Sequence, residues 1–240
     1  MSLKEILLYR RATRRYGDQN IDPEIVRGCL ELAQLSPTSS NMQLYEAYHI
    51  IEPELLKQMS IACLSQGAAT TAQQMVVFVL RQDLHRSRAQ KLLKLEEENV
   101  LRNSPEDRRA HRIGRWRLYY GKIMPIVHAR CFGCIGLVRK IAVQGFGLFR
   151  PIVRQMSEAD QRASLHQSCG IVAQTFMLAM AEQGYDTCPI GGFDSLRIRR
   201  LLGLKRGAEI SLVVSCGIRD PRGIWGDRVR IPFEEIYHRH

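Results

Sequence analysis

Apolar positions recur at helical spacing along several stretches of the chain and run unbroken in two others, and the residues between them mark where elements begin and end. Residues 2–9 read as a short helix. Asp22-Pro23 opens a second, with Asp as N-cap, Pro at the first helical position, and Ile21 and Val26 placed as a hydrophobic staple. Ile25, Cys29, Leu32 and Ala33 continue it at helical spacing up to Ser36-Pro37. Leu44–Ile51 suits a strand, Pro53–Ala62 a helix, Leu64–Gly67 a turn, and the unbroken run Met75–Leu80 a fully buried strand. A charged helix is expected over His85–Leu101, then a basic linker holding Arg108, Arg109, Arg112, Arg115 and Arg117. Ile123–Pro151 mixes apolar residues with Gly and Lys/Arg. Ser157 with Asp160 three positions on has capping-box spacing. The helix it opens is apolar on most sides over Leu165–Gln183, the mark of a buried helix, here one in the middle of a dimer, and Gly184 ends it. Thr187–Asp194 reads as a turn with adjacent glycines. Asp194 caps a short helix ending at Gly203, Glu209–Gly217 is a third strand, and Phe233–His240 a short helix or coil.

A chain of 240 residues is long enough for a substantial core, and its apolar and charged fractions are those of a soluble globular protein. The net charge of +11 is unevenly placed: residues 84–165 hold 17 Lys and Arg against 7 Asp and Glu. With no strand pattern in that stretch, 84–156 reads as a basic, mostly helical insertion or lid on one domain spanning 1–240. Seven scattered cysteines, odd in number, suit a reducing cytoplasm better than a disulfide framework. Cys131-Phe-Gly-Cys134 has no second pair at zinc-ligand spacing, and no metal site is expected. Neither a signal core nor an apolar run of membrane-spanning length is present in the sequence.

Candidate chemistry begins at Leu8–Tyr16, where Arg10, Arg11, Arg14 and Arg15 stand within six positions. So many guanidinium groups repel one another unless they lie on a solvated face or grip an anion, and Arg grips phosphate with two parallel charge-assisted hydrogen bonds. Ser36–Gln43 is rich in hydroxyl and amide groups, as either a plain loop or a polyol-binding loop would be. Arg228 and Arg230 share one side of an extended segment. Gly145-Phe-Gly147 lacks a third glycine and a preceding buried strand, so it is no dinucleotide fingerprint. Phosphate-loop, His-Glu-x-x-His and serine-elbow signatures are absent from the sequence.

In order, Arg-Arg-x-Thr-Arg-x-Tyr, Ser-Pro-Thr-Ser-Ser-Asn-x-Gln, a buried helix ending in Gly-Tyr, Pro-Ile-Gly-Gly-Phe and a closing basic-x-basic-x-Pro resemble the FMN-dependent nitroreductase family over residues 1–82 and 157–237. The resemblance implies an α+β fold, a central mixed, mostly antiparallel sheet flanked by helices, in an intertwined homodimer with FMN at the subunit interface. It implies that Arg10, Arg11, Arg228 and Arg230 hold the FMN phosphate, with Ala12 beside them where the family usually has Ser. Arg14 would reach the ribityl chain and pyrimidine edge. Pro37, Thr38, Ser39 and Asn41 would contact FMN from the partner subunit, and Gln66 would hydrogen-bond the pyrimidine. Pro189, Ile190, Gly191 and Gly192 would pass along the ring with the Gly191 N–H toward N5, so that Arg14 and Gly191 are the catalytic candidates. Gly191 stands where an acid is common, which leaves it a backbone role.

The implied activity is ping-pong transfer of hydride from NADH or NADPH through FMN to a nitroaromatic, a quinone or a similar flat aromatic acceptor, with the basic middle third favouring NADPH. Two alternatives stand beside it: a flavin-binding protein without turnover, and a flavoprotein whose segment Ile123–Arg154, both basic and apolar, docks on an anionic membrane surface. If that segment is a lid, its apolar side packs over the flavin pocket. The basic residues are not interleaved with aromatics on a recognisable module, so nucleic acid is not an expected partner.

Overall fold

The computed structural model describes residues 2–240. Its elements in chain order are α1 (Leu3–Tyr9), α2 (Pro23–Ala33), β1 (Tyr45–Ile50), α3 (Pro53–Ala62), α4 (Gly67–Thr70), β2 (Gln74–Leu80), α5 (His85–Asn103), α6 (Glu106–Leu118), α7 (Met124–Val127), α8 (Cys134–Phe146), α9 (Glu158–Glu182), β3 (Asp186–Ile190), α10 (Ser195–Leu201) and β4 (Glu209–Gly217). A π-helical turn at Tyr119–Ile123 joins α6 to α7.

The strands form one sheet in the order β1-β2-β4-β3, each neighbouring pair antiparallel. The one parallel pairing among the described residues is an isolated bridge between Ala12 and Thr187. Every residue of β2 is buried, because the strand is covered on both faces. Strand alternation divides it: Val76, Phe78 and Leu80 face the cluster shared with α2, α5 and α9, while Met75, Val77 and Val79 face the cluster shared with α3 and α10. A bulge at Phe78/Val79 shifts the register against β4.

The local signals act as expected at most helix starts. Asp22 accepts from Glu24 N at 2.9 Å, and Ile21 and Val26 are both buried in one cluster. Ser157 and Asp160 form the full capping box of α9, and Asp194 accepts from Leu196 N and Arg197 N. Gly184 and Gly203 take φ of 78° and 58° after α9 and α10, which glycine adopts without steric cost. Helix α9 buries one broad side, including Leu165, Cys169, Val172, Phe176 and Met180, with the Phe176 ring edge-on to Phe78 at 5.8 Å, while Gln167, Gly170, Ile171 and Gln174 on the other side are exposed.

Two readings are corrected. Thr187–Asp194 is not all turn: Asp186–Ile190 is β3, an edge strand paired with β4, and an edge tolerates Pro189, which has no N–H to donate. The basic linker is helix α6, which buries no residue. Glu106 and Asp107 in its first turn and Arg115 and Arg117 in its last complement the helix dipole.

Candidate functional site

The cleft at the chain termini is built by backbone. Tyr16 bridges Arg219 in antiparallel fashion, Gly17 N donates to Ile218 O at 2.9 Å, Asp220 N to Arg15 O at 3.1 Å, and Arg14 N to Gly223 O at 2.7 Å. The strap 218–224 thus runs back along 13–17 and delivers 224–230 to Arg10 and Arg11. Asp186, almost fully buried at the head of β3, anchors the strap by accepting from Arg219 N at 2.8 Å and Arg219 Nε at 2.7 Å. The Arg219 guanidinium also lies over the Tyr9 ring at 4.2 Å, tying α1 to the same point.

The result is a cleft of about 300 Å³ lined by all five arginines expected at the site, Arg10, Arg11, Arg14, Arg228 and Arg230, together with Ala12. Arg228 donates to the carbonyls of Arg10 at 2.6 Å and Leu8 at 3.3 Å, near the end of α1, and Arg11 donates to Gly226 O at 2.9 Å. Among the described residues none of the five has a carboxylate partner in an ion pair. Burial first, then the charges of Arg228 and Arg230, pull Arg10 below the usual guanidinium range. Such a set of donors, partly desolvated and mutually repelling, is stabilised by a multiply charged anion.

Arg14 links this cleft to the glycine turn, its Nη1 lying 3.6 Å from Cys188 Sγ on β3. The Gly67 backbone passes so close to Arg14 that a Cβ there would stand 2.9 Å from the Arg14 carbonyl oxygen. From the start of α4, Gln66 spends both amide protons on carbonyls, Gly192 O at 2.8 Å and Cys63 O at 3.0 Å. Its amide oxygen is what remains for a ligand N–H. Gly191 and Gly192 are exposed, with open space where a Gly191 Cβ would stand, while Ile190 is buried and Pro189 half-buried. Leu64 and Ser65, beside them, hold φ of 59° and 50°, strained values for residues with side chains.

Pro37, Thr38, Ser39 and Asn41 are not brought to this cleft in the same chain: none lines it. Their loop is held elsewhere, Ser36 Oγ on Thr175 Oγ1 at 2.7 Å and Ser39 N on Ser168 Oγ at 3.1 Å, both on α9. Tyr119 Oη donates to Ser40 Oγ at 2.7 Å and Tyr120 Oη to Ser40 O at 3.0 Å. Ser40, Asn41 and Gln43 all carry positive φ.

This loop borders a second cavity, of about 860 Å³, whose walls include Ser40, Asn41, Val100, Arg112, Arg115, Trp116, Tyr119 and Tyr120. Trp116 stacks on Tyr120 at 5.4 Å and 16°, with Tyr119 edge-on to both. Burial, then Glu96 and Tyr119, push the Tyr120 hydroxyl up to about 12, so it stays a proton donor to Ser40 at neutral pH. Sequence reasoning passed over this group, although Trp116-x-x-Tyr119-Tyr120 repeats an aromatic at i, i+3 and i+4, which puts all three on one helical face. It also passed over Trp225 and Asp227, which line the arginine cleft.

Comparison with known proteins gives a match to the model of the nitroreductase family over residues 7–218. MhqN of Bacillus subtilis, described as an NAD(P)H nitroreductase, is 32% identical over 71 residues, 28% of this chain and 34% of that protein's own length. An NADH dehydrogenase of Thermus thermophilus is 25% identical over 236 residues, 98% of this chain and 95% of that one. Among solved structures, a protein of Exiguobacterium sibiricum described as a nitroreductase in complex with FMN superposes with a TM-score of 0.69. It is 20% identical over 100% of this chain and 98% of that one, a likeness of fold.

Proposed function

The chain belongs to the nitroreductase family, and on that premise we propose that it is an FMN-dependent oxidoreductase taking reducing equivalents from NADH or NADPH to a nitroaromatic, a quinone or another flat acceptor. The observation that carries the reading is the cleft where chain segments more than two hundred residues apart bring together five arginines, none of them in an ion pair among the described residues, beside the one carboxylate of Asp227. That donor set fits the phosphate of FMN. Arg10, Arg11, Arg228 and Arg230 would hold the phosphate, and Arg14 would place a positive charge toward the pyrimidine, where it favours the reduced, anionic form. The free amide oxygen of Gln66 suits the pyrimidine N–H, and the exposed glycine pair lets backbone approach a flat ring, with the Gly191 N–H serving N5. FMN supplies, when bound, a carrier that takes hydride from a nicotinamide and gives it to the acceptor. The protein's own part is to bind, orient and exclude water, so no side-chain nucleophile or base is required.

The active unit is a homodimer in this reading. Leu32 and Leu35 are exposed in a groove of about 440 Å³ between α1, α2 and α9, and Ile171 is exposed on α9, the apolar side that a partner would cover. Pro37, Thr38, Ser39 and Asn41 would then serve the partner's flavin. The aromatic cavity beside Asn41 becomes the acceptor's berth, its Trp116–Tyr120 stack matched to a flat ring, and the segment 84–156 is the insertion that walls it. The unpaired cysteines suit a cytoplasmic site of action.

The test is a pair of titrations of the flavin-free protein. FMN should bind with yellow absorbance that bleaches on adding NADH or NADPH and returns with a quinone or nitroaromatic. Arg10→Ala should weaken FMN about tenfold to a hundredfold and leave riboflavin, which lacks the phosphate, nearly unchanged. Equal loss for both flavins would contradict the phosphate assignment, and binding without bleaching would leave a flavin carrier that does not turn over.

A further inference from the structure

Helix α8 docks through a narrow side made of Gly136 and Arg139, with Ile135 and Val143 half-buried beside them. Gly136 and Arg139, one turn apart, face the body of the protein. A Cβ on Gly136 would meet the backbone and side chain of Glu158 at the start of α9, so only glycine lets α8 lie this close. Arg139, 9% exposed, donates through Nη1 to the carbonyls of Ile126, at 2.7 Å, and Val127. Opposite them at i, i+1 and i+4 stand Leu137, Val138 and Ile141, exposed by 59%, 67% and 65%. A helix stabilised by its own protein turns such a stripe inward. The flanking turns continue the apolar character outward, with Phe132 exposed by 96% and Phe149 by 88%, and Phe146, Leu148 and Val153 also exposed.

Charge around this face is predominantly basic, with Glu158 near Arg130 and Asp160 near Lys140 as the acids at its inner edge. Asp107 and Glu158 are consecutive acidic residues in the sequence, so the fifty residues between them hold no acid and eleven Lys or Arg. Arg130, Lys140, Arg150 and Arg154 are exposed around the apolar stripe. Glu158 lies beneath α8, where it accepts from Cys131 N at 2.9 Å. A second copy meeting this face with the same face would set basic residues against basic residues. The apolar stripe points away from the body, so it covers no cavity of its own chain. An anionic lipid surface matches both features at once, with acyl chains for the stripe and phosphates for its rim.

We propose that α8 and its flanking turns dock this protein on an anionic lipid bilayer, α8 lying in the interfacial plane with Leu137, Val138 and Ile141 toward the acyl chains. No helix among the described residues is long and apolar enough to cross a membrane, so the contact is peripheral. The inference stands on surface features outside the flavin cleft and is independent of the proposed chemistry.

The experiment is co-sedimentation of the full-length protein with vesicles of phosphatidylcholine alone or mixed with phosphatidylglycerol. The protein should pellet with the mixed vesicles, weaken with added salt and stay in solution with the neutral ones. Val138→Asp with Ile141→Asp should abolish pelleting, and Lys140→Glu should weaken it at least about fivefold, the effect of one basic group near such a surface. Circular dichroism and thermal melting of each variant establish that it folds, which surface positions allow. Absence of pelleting with mixed vesicles, or equal pelleting with both kinds, overturns the proposal. So does light scattering in which Val138→Asp with Ile141→Asp halves the mass of the lipid-free protein, which would make the stripe a protein interface.

Discussion

Single residues carry the least visible part of this design. Arg10 and Arg228 were legible as charge, because arginine clusters stand out in any sequence, but their meeting depends on a turn that no local pattern announces. His128 was not legible at all. It is the C-cap of α7, 2% exposed, with Nδ1 unpartnered and its backbone carbonyl accepting from Gln82 Nε2 at 3.1 Å. Burial, then the charges of His85 and Arg139, bring its pKa down to about 4. In the unfolded chain it titrates near the usual histidine value. A depressed folded pKa means that the unfolded state binds more protons between those limits. The contribution is therefore fully present above the unfolded value and lost as the pH falls toward 4. The expected loss is up to about 3 kcal/mol, read from urea unfolding at a series of pH values. His128→Gln, neutral throughout, should flatten that slope, and an unchanged slope would place the acid sensitivity elsewhere.

Among whole elements, legibility followed the local signals. Helices α2, α3, α9 and α10 were readable because N-caps, an N-terminal Pro and terminal Gly act within one turn of where they stand. Strand β2 was readable because burial on both faces demands a continuous apolar run. Helix α6 was missed since its apolar positions, Ile113 and Trp116, are sparse among five arginines, and β3 since a short edge strand with Pro189 inside it looks like a turn. The strap 218–224 was equally hidden, for it is made by backbone hydrogen bonds. Gly223 shows how little room it has: a Cβ would overlap the Arg15 carbonyl and stand 2.9 Å from Asp220 O. Gly223→Ala should force the strap off Arg14 and weaken FMN about tenfold while lowering overall stability by only about 1–3 kcal/mol. Flavin fluorescence titration beside a thermal melt checks both, and a large stability loss with intact FMN affinity would be the wrong order of effects.

Across the whole molecule, the sheet and helix layers place the arginine cleft where the two ends of the chain meet and leave the Pro37–Asn41 loop elsewhere on the same protomer. The family resemblance implies that this loop serves a partner's flavin, which composition and periodicity could not suggest, because neither records how copies of a chain meet. If two copies share each site, their association and flavin binding are coupled. Ile171→Glu, which puts a charge on the exposed apolar side of α9, should yield monomers in sedimentation velocity and lose FMN in the same step. Monomers that keep full affinity would confine the site to one chain. The meeting of Arg10 with Arg228 also has a temporal consequence. During synthesis Arg10 leaves the ribosome 218 residues ahead of Arg228, so a nascent chain cannot complete the clasp until Arg228 has emerged. If the clasp holds the FMN phosphate as proposed, flavin capture is a late event of maturation, and a protease cutting between Gly217 and Arg228 would shed the cofactor while the β-sheet stayed whole.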